Sequence, residues 1–557
     1  MPETYDHIIV GGGLTGCALA SRLAEKDESL RILIIEAGPN VVDHPLTSTP
    51  LACFASHHSP LDWDYTTVPQ KNLNGRECYN SAGKALGGGT AINYGTWTRG
   101  NAADYNLWAK LVSDSSWSYE GLLPYFQRTE THYDRDADPA VHGTSGPIHN
   151  TIVELTSPER LFPLKEPLRS AWDRLGVKFN PDANAGNPLG LAHFGENWRE
   201  GQRQLASEAY GLSKRQGVTV ITDTLVEKVI VNEQDGQKIA TGVKVVNGQE
   251  YHASKEVIIS AGAYRTPQVL MLSGIGPAEE LAKHNIPQLV DAPDVGRHFH
   301  DHFCVPQWWK LRHPERGLSM GTPLWTSPAY GMGVPYDWNV TLQTPSDVLT
   351  RALQADNGEA DNSEASKDHP YLDPNFAHTE VLVIYAPMSQ AVAGFETPMD
   401  GTHISTAVLL MAPTARGQIT LANADPATAP VIDPNYLGKE VDRAIVRDGV
   451  RRVAKLLLDT PEGQDMVEYE VTRPENTPIK LDSTDDEIDA NVRRGGITFF
   501  HPGGSASMGK VVDTQLRVKG VKGLRVADAS VLPVPLAAHY QAILYAVAEK
   551  AADLISG

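Results

Sequence analysis

The chain opens on a strand that runs straight into a glycine turn. Residues 7–16 read His-Ile-Ile-Val-Gly-Gly-Gly-Leu-Thr-Gly. Ile8, Ile9 and Val10 form a short β-branched run suited to a buried parallel strand. In the Gly-x-Gly-x-x-Gly turn, Gly11 permits the tight reversal, Gly13 lets a pyrophosphate approach the backbone, and Gly16 lets helix and strand pack closely. From Leu14 and Thr15 onward the pattern is helical, with Cys17, Leu19 and Leu23 supplying apolar contacts. Free amides and the positive dipole end of that helix favour a diphosphate. A second strand, Arg31 to Ile35, ends at Glu36. An acid about 20 positions beyond the third glycine accepts from a ribose hydroxyl. It also disfavours a 2′-phosphate, which argues against NADP and leaves NAD and FAD both open.

The rest of the composition narrows the class. With 557 residues and 41% hydrophobic content, the chain can fill two cored domains or one large bipartite body. A formal net charge of −20 argues against nucleic acid and anionic membrane as partners, since both need a basic footprint. Cys17, Cys53, Cys78 and Cys304 are too scattered for a disulfide framework, and no Cys-x-x-Cys suggests a metal or dithiol site. The first strand begins within about six residues of Met1, which leaves no room for a signal peptide. No apolar run approaches the ~20 residues of a membrane span. The expectation is a cytosolic protein. The glycosylation pattern Asn339-Val340-Thr341 then carries no weight.

Further along there is no internal repeat. Residues 83–100 are glycine-dense, but apolar and aromatic residues are mixed in, so the stretch reads as a loop that hugs a flat cofactor or offers amides to phosphate. Residues 217–232 and 241–260 alternate as β-structure. Residues 356–369 are acidic, polar and small, and read as an exposed insertion loop. Residues 438–458 carry Val441, Ile445, Val450, Val453 and Leu456 at helical spacing, predicting a helix that covers a sheet. Two histidine segments, around His501 and His539, close the chain.

Several long motifs in a fixed order resemble the glucose-methanol-choline (GMC) family of FAD-dependent oxidoreductases. Gly83-Lys84-x-Leu86-Gly87-Gly88-Gly89-Thr90-x-Ile92-Asn93 is similar to its first signature. Gly262-Ala263-x-x-Thr266-Pro267-Gln268, continuing to Gly276, is similar to its second. His501-Pro502, Gly523 to Ser530 and Ala548 to Asp553 look like its C-terminal block. Ala412-Pro413-x-x-x-Gly417-x-Ile419 followed by Pro434-Asn435-Tyr436 looks like its substrate-domain strand region. The resemblance settles FAD over NAD and covers essentially the whole chain.

It implies a mixed α/β and α+β architecture: a discontinuous Rossmann-like FAD-binding domain, and a substrate domain with an antiparallel sheet covered by helices. The expected division gives the FAD domain residues 1–155, 206–305 and 496–557, and the substrate domain residues 156–205 and 306–495. Within the family, Tyr94 after Asn93 and Phe500 before His501 resemble the aromatic clamp of the aryl-alcohol oxidase branch, and Ala538-His539-Tyr540-Gln541 resembles its second-histidine segment. The implied activity is oxidation of a primary, aromatic or conjugated alcohol to the aldehyde, with oxygen or another electron acceptor closing the cycle. A setting in secondary metabolism fits the expected location. The rival on the same scaffold is a non-redox lyase or cyclase, hydroxynitrile lyase-like, with structural FAD.

Site roles carry over on the same ground. Gly11, Gly13, Leu14, Thr15, Gly16 and Glu36 are expected at the ADP half of FAD. Gly88, Thr90, Asn93 and Tyr94 are expected along the pyrophosphate and isoalloxazine, and Val226 at a backbone contact to adenine. Asp528, Ala529 and Gln541 are expected to flank pyrophosphate and flavin. Residues 83–100 contain no histidine, so the tether used by some relatives is missing and FAD is expected to be non-covalent. A flavin takes hydride at N5, and a base must take the alcohol proton; neutral imidazole suits this with an unperturbed pKa of about 6.5. His501 is assigned as that base and His539 as the partner that steadies the alkoxide, and the two roles are interchangeable from sequence. Two patterns are set aside. His298, His300, Asp301 and His302 could pass for metal ligands but read as a structural turn in the family, so no metal is expected. Gly317-Leu318-Ser319-Met320-Gly321 matches a nucleophile elbow, but Pro314, Pro323 and Pro328 deny it the strand and helix that such an elbow needs.

Overall fold

The computed structural model describes residues 4–358 and 369–557. Two seven-stranded sheets organise it. In the first, Thr4–Val10 lies between Ile32–Ile35 and Glu250–Ile259, parallel to both, and Val218–Ile221 extends the parallel set beyond Ile32–Ile35. The last residues of Glu250–Ile259 take Leu524–Val526 in parallel, while its first residues take the antiparallel pair Gln237–Val245 and Val226–Gln234. Ile32–Ile35 is fully buried, as a parallel strand covered on both faces must be. The helix Leu14–Lys26 covers the sheet, and Gln541–Ser556 packs against that helix. Arg22 Nε donates to the buried carboxylate of Glu549 at 2.8 Å, so the two ends of the chain are clasped together.

The second sheet is antiparallel. Its order is Val467–Val471, Phe303–Leu311, His403–Leu410, Thr379–Ile384, Trp338–Leu342 and Gly190–His193, and Ile497–Thr498 pairs with the start of Phe303–Leu311. Side chains alternate between its faces. Val305, Val381 and Val408 share a core with the helix Glu440–Leu458, whereas Cys304, Leu382 and Leu409 belong to a separate cluster on the opposite face. That second face looks toward the first sheet, and the functional cavity lies there.

The periodicity of residues 438–458 becomes the helix Glu440–Leu458, with Val441, Ile445, Val450, Val453 and Leu456 buried. The expected insertion loop is different at its start. Asp356 lies in the last turn of the helix Ser346–Asn357, and its carboxylate accepts from Glu440 N at 2.7 Å and Val441 N at 3.0 Å, capping a helix whose own N-cap residue, Lys439, cannot do so. Residues 359–368 of that stretch lie outside the described residues. No helix among the described residues is long and apolar enough to cross a membrane.

Gly449 sits where the helix meets the sheet. A Cβ there would lie 2.4 Å from Val408 Cγ1 and 3.0 Å from Thr379 Cγ2. Gly449→Leu is therefore expected to cost about 1–3 kcal/mol by overpacking, more than leucine's better helix propensity returns. Thermal unfolding of the variant against the parent measures this.

Candidate active site

One cavity of about 460 Å³ runs from the glycine turn to the two C-terminal histidines. At the first end, Gly11 has φ +99°, and a Cβ on it would come within 2.4 Å of Ser260 O. Gly13, Leu14 and Thr15 face the cavity at a helix start with no side-chain cap. Glu36 reaches back to this turn, accepting from Gly12 N and Gly38 N at 2.8 Å each, and burial pushes its carboxyl up to about 7. Val226, with Thr224 and Leu225, continues the wall. Across from them stand Gly88, Asn93, Tyr94, Asp528, Ala529 and Gln541.

Two residues expected on this wall stand behind it. A Cβ on Gly16 would sit 2.2 Å from Gly11 O, so Gly16 serves the helix–strand contact. The Thr90 hydroxyl donates to Gly87 O at 2.7 Å and accepts from Ala206 N at 3.1 Å, which fixes the turn from outside.

The wall has the character of a backbone cradle. A Cβ on Gly89 or Gly262 would meet nothing within 4 Å, and one on Gly13 would meet only Ser260 O at 3.9 Å and Gly88 Cα at 4.0 Å. Side chains at these positions would project into free space that a phosphate and a flat ring system can use. Asp528 steadies one of these glycines by accepting from Gly262 N at 2.9 Å. Gln541 is fixed by Asn197 Nδ2 at 2.9 Å and by its own bond to Thr96 O, and it in turn meets Asn93.

At the other end the rings of His501 and His539 have centroids 4.8 Å apart, and Phe499 stands edge-on to both. Burial, with His539 and His302 beside it, holds the His501 imidazole well below its ordinary pKa, so the ring is neutral. His501 Nδ1 meets His302 Nδ1 at 2.9 Å, and its backbone N–H donates to Asp301 at 2.9 Å. His539 Nε2 meets Glu380 Oε1 at 2.7 Å, and Asn339 donates to the other Glu380 oxygen at 3.1 Å. Glu380 comes from Thr379–Ile384, whose alternation puts it on the cavity face together with Leu382 and Ile384.

Tyr94 and Phe500 both line this end, but a histidine lies between them. The His57 ring is 5.8 Å from Tyr94 and 5.4 Å from Phe500. His57, Glu380 and His302 are the functional-site residues that sequence reasoning passed over. Glu380 left a trace, a carboxylate inside an otherwise apolar β-branched run; His57 left none. The histidine-rich stretch set aside as a structural turn is partly that. Asp301 also takes the hydroxyls of Thr498 at 2.6 Å and Tyr436 at 2.5 Å, yet His302 touches the site. Ser319 is fully buried, and its hydroxyl donates to the carbonyls of His403 and Tyr385, which leaves no nucleophile. Elsewhere, Glu130, His132 and His142 bring ligand atoms within 4.8 Å of one another. The Glu130 carboxylate is already held by Arg99 at 2.5 Å, Trp97 at 3.1 Å and Asn150 at 3.0 Å.

Residues 5–304 match the N-terminal GMC oxidoreductase family model, and residues 413–548 match the C-terminal one. The chain belongs to the GMC oxidoreductase family. Like its relatives, this GMC oxidoreductase is an FAD-dependent enzyme. It is 44% identical to the GMC-type oxidoreductase acuG of Aspergillus aculeatus, over 100% of this chain and 99% of that protein. It is 34% identical to dehydrogenase str4 of Strobilurus tenacellus, over 100% and 94%. A solved formate oxidase of Aspergillus oryzae superposes with a TM-score of 0.87 at 30% identity, covering 100% of this chain and 98% of that one. A fungal aryl-alcohol oxidase shares the fold, with a TM-score of 0.81 at 24% identity over 100% and 99%.

Two outcomes follow for cofactor binding in this GMC oxidoreductase. Glu36→Ala is expected to weaken FAD binding about 10- to 100-fold, the worth of charge-assisted hydrogen bonds. With its carboxyl raised to about 7, Glu36 is protonated on the acid side, so affinity for FAD should strengthen from pH 6 to pH 8 and stay flat in Glu36→Gln. Fluorescence titration of the apoprotein measures both. Flavin should also leave the polypeptide completely on denaturation.

Proposed function

We propose that this GMC oxidoreductase oxidises a primary alcohol on an aromatic or conjugated carbon to the aldehyde, with His501 taking the hydroxyl proton. One observation carries the reading: two imidazoles 4.8 Å apart meet at the apolar, aromatic end of a cavity whose other end is a dinucleotide cradle. The relative named dehydrogenase str4 supports a redox role. FAD, when bound, supplies the acceptor for the hydride leaving carbon. Gly11, Gly13, Leu14 and Thr15 would hold its diphosphate, and Glu36 and Val226 its adenosine side. Gly88, Asn93, Asp528, Ala529 and Gln541 would hold the part nearer the ring.

The chain's own residues do the acid–base work. His501 is neutral and its Nδ1 is engaged by His302, which leaves Nε2 to accept the alcohol proton. His539 Nε2 faces the Glu380 carboxylate and so carries hydrogen, which leaves Nδ1 for the alcohol oxygen. The Glu380 hydrogen bond holds the ring beside the oxygen on which alkoxide charge develops. Phe499, Phe500 and Leu382 keep water from the pair and present flat apolar surface to the substrate.

Anaerobic titration with benzyl alcohol is expected to bleach the flavin band, and admitting air then separates oxidase from dehydrogenase. His501→Ala should lower the reduction rate about 10²- to 10⁴-fold while FAD remains bound. Glu380→Gln should lower it about 10- to 100-fold. A band that stays oxidised with every benzylic alcohol would overturn the aromatic-alcohol reading and leave either another alcohol or a lyase, which product analysis with other alcohols and with cyanohydrins separates.

A further inference from the structure

The wall that faces the histidine pair carries a chain of hydrogen bonds leading out of the cavity. Tyr94 Oη meets His57 Nε2 at 2.5 Å, His57 Nδ1 meets Tyr79 Oη at 2.9 Å, and the Tyr79 hydroxyl bonds the Asp62 carboxylate. Tyr94 and His57 line the cavity; Asp62 does not. Asp62 also accepts three backbone amides, from His58 at 3.1 Å and from Asp64 and Ala82 at 3.0 Å each.

The chain can run in one direction only. Asp62, surrounded by donors, is an acceptor, so the single Tyr79 hydrogen points at it. The Tyr79 oxygen must then accept from His57, which puts the imidazole hydrogen on Nδ1. His57 Nε2 is left with a lone pair, and Tyr94 must donate to it. Desolvation holds His57 far on the acid side, at about 4, which keeps the ring neutral and this assignment single-valued. With its hydrogen committed, the Tyr94 oxygen has only lone pairs left.

We propose that Tyr94 acts in the cavity as an obligate hydrogen-bond acceptor, set by Asp62 through Tyr79 and His57, and that it selects an aromatic alcohol bearing a second hydroxyl on its ring. This rests on the aromatic-alcohol reading above and sharpens it. A ring hydroxyl donates to Tyr94; a methoxy group or a ring carbonyl in its place brings a second acceptor against the first, and a buried polar atom without a partner weakens binding. Asp62, Tyr79 and His57 are positioning residues here, since they act on the ring hydroxyl through the Tyr94 oxygen.

The test uses the holoenzyme and ligands whose binding needs no turnover. Dissociation constants for 2-, 3- and 4-hydroxybenzaldehyde and the matching methoxybenzaldehydes are read from perturbation of the flavin spectrum. At least one hydroxy compound is expected to bind about tenfold or more tighter than its methoxy counterpart. Tyr94→Phe should bring that ratio close to one. Asp62→Asn places an amide donor against Tyr79 and reverses every link, so Tyr94 would donate into the cavity and the preference should turn toward the methoxy compound. Should that variant fold poorly, His57→Phe, which breaks the chain and frees the Tyr94 hydroxyl to donate, is expected to erase the preference. Ratios near one for all three pairs in the parent, or a ratio untouched by Tyr94→Phe, would overturn the proposal. Bleaching by the hydroxybenzyl alcohol that matches the preferred aldehyde tests the oxidation separately, so its failure with an intact hydroxyl preference would sink the redox reading alone.

Discussion

Three donors from two parts of the chain converge on the buried carboxylate of Asp301: the Thr498 hydroxyl and His501 amide from one segment and the Tyr436 hydroxyl from another. Thr498 belongs to the antiparallel sheet, and His501 follows three residues later, where the chain turns back to the dinucleotide-binding body. Asp301 lies just before Phe303–Leu311 and so joins the same two bodies from the other side. The base of the proposed reaction is thereby fixed by its main chain, and His302, the next residue, fixes its ring. Burial drives the Asp301 carboxyl up to about 6, and the donors around it oppose that cost. Losing one would leave a desolvated oxygen next to the reacting group.

The remaining chemistry depends on strand geometry. Thr379–Ile384 is buried on both faces, and a period of two residues alone decides that Glu380 looks toward His539 while Val381 looks toward the helix Glu440–Leu458. A slip of one residue in register would exchange a carboxylate for a valine beside the imidazole. The Leu410 and Val408 pairings that hold this register are thus part of the site without touching it.

What the sequence made legible were features written locally. The strand–glycine–helix turn, Glu36, the alternation before residue 260 and the helical spacing of residues 438–458 each appear within one window. His501 and His539 were found through motif context. The residues missed act across distance: His57 lies 37 positions from Tyr94, Glu380 lies 159 from His539, and His302 lies 199 from His501. Nothing in a window around His57 says that it will sit between Tyr94 and Phe500. Gly16 and Thr90 stand in the right motifs yet behind the wall, because a motif constrains both the surface offered to a ligand and the packing that supports it. Asp356 shows the reverse: an acidic residue read as solvated surface spends its charge on the free amides of a distant helix.

The clasp between Arg22 and Glu549 has a consequence for how the protein is made. The central sheet takes strands from residues 4–10, 32–35, 218–259 and 524–526, and the cavity takes Gln541 from the final helix. During synthesis the strand Thr4–Val10 waits for Glu250–Ile259 beside it, and the helix after the glycine turn waits for a partner more than 500 residues away. Their apolar faces stay uncovered for most of translation, and long-range pairing of this kind is slow once the partners arrive. The nucleotide site is completed only once the segment carrying Gln541 has been made, so the cofactor is captured after nearly all of residues 4–541 have emerged. A cofactor that binds the folded chain and not the unfolded one then stabilises it by mass action, and does so more as free flavin rises.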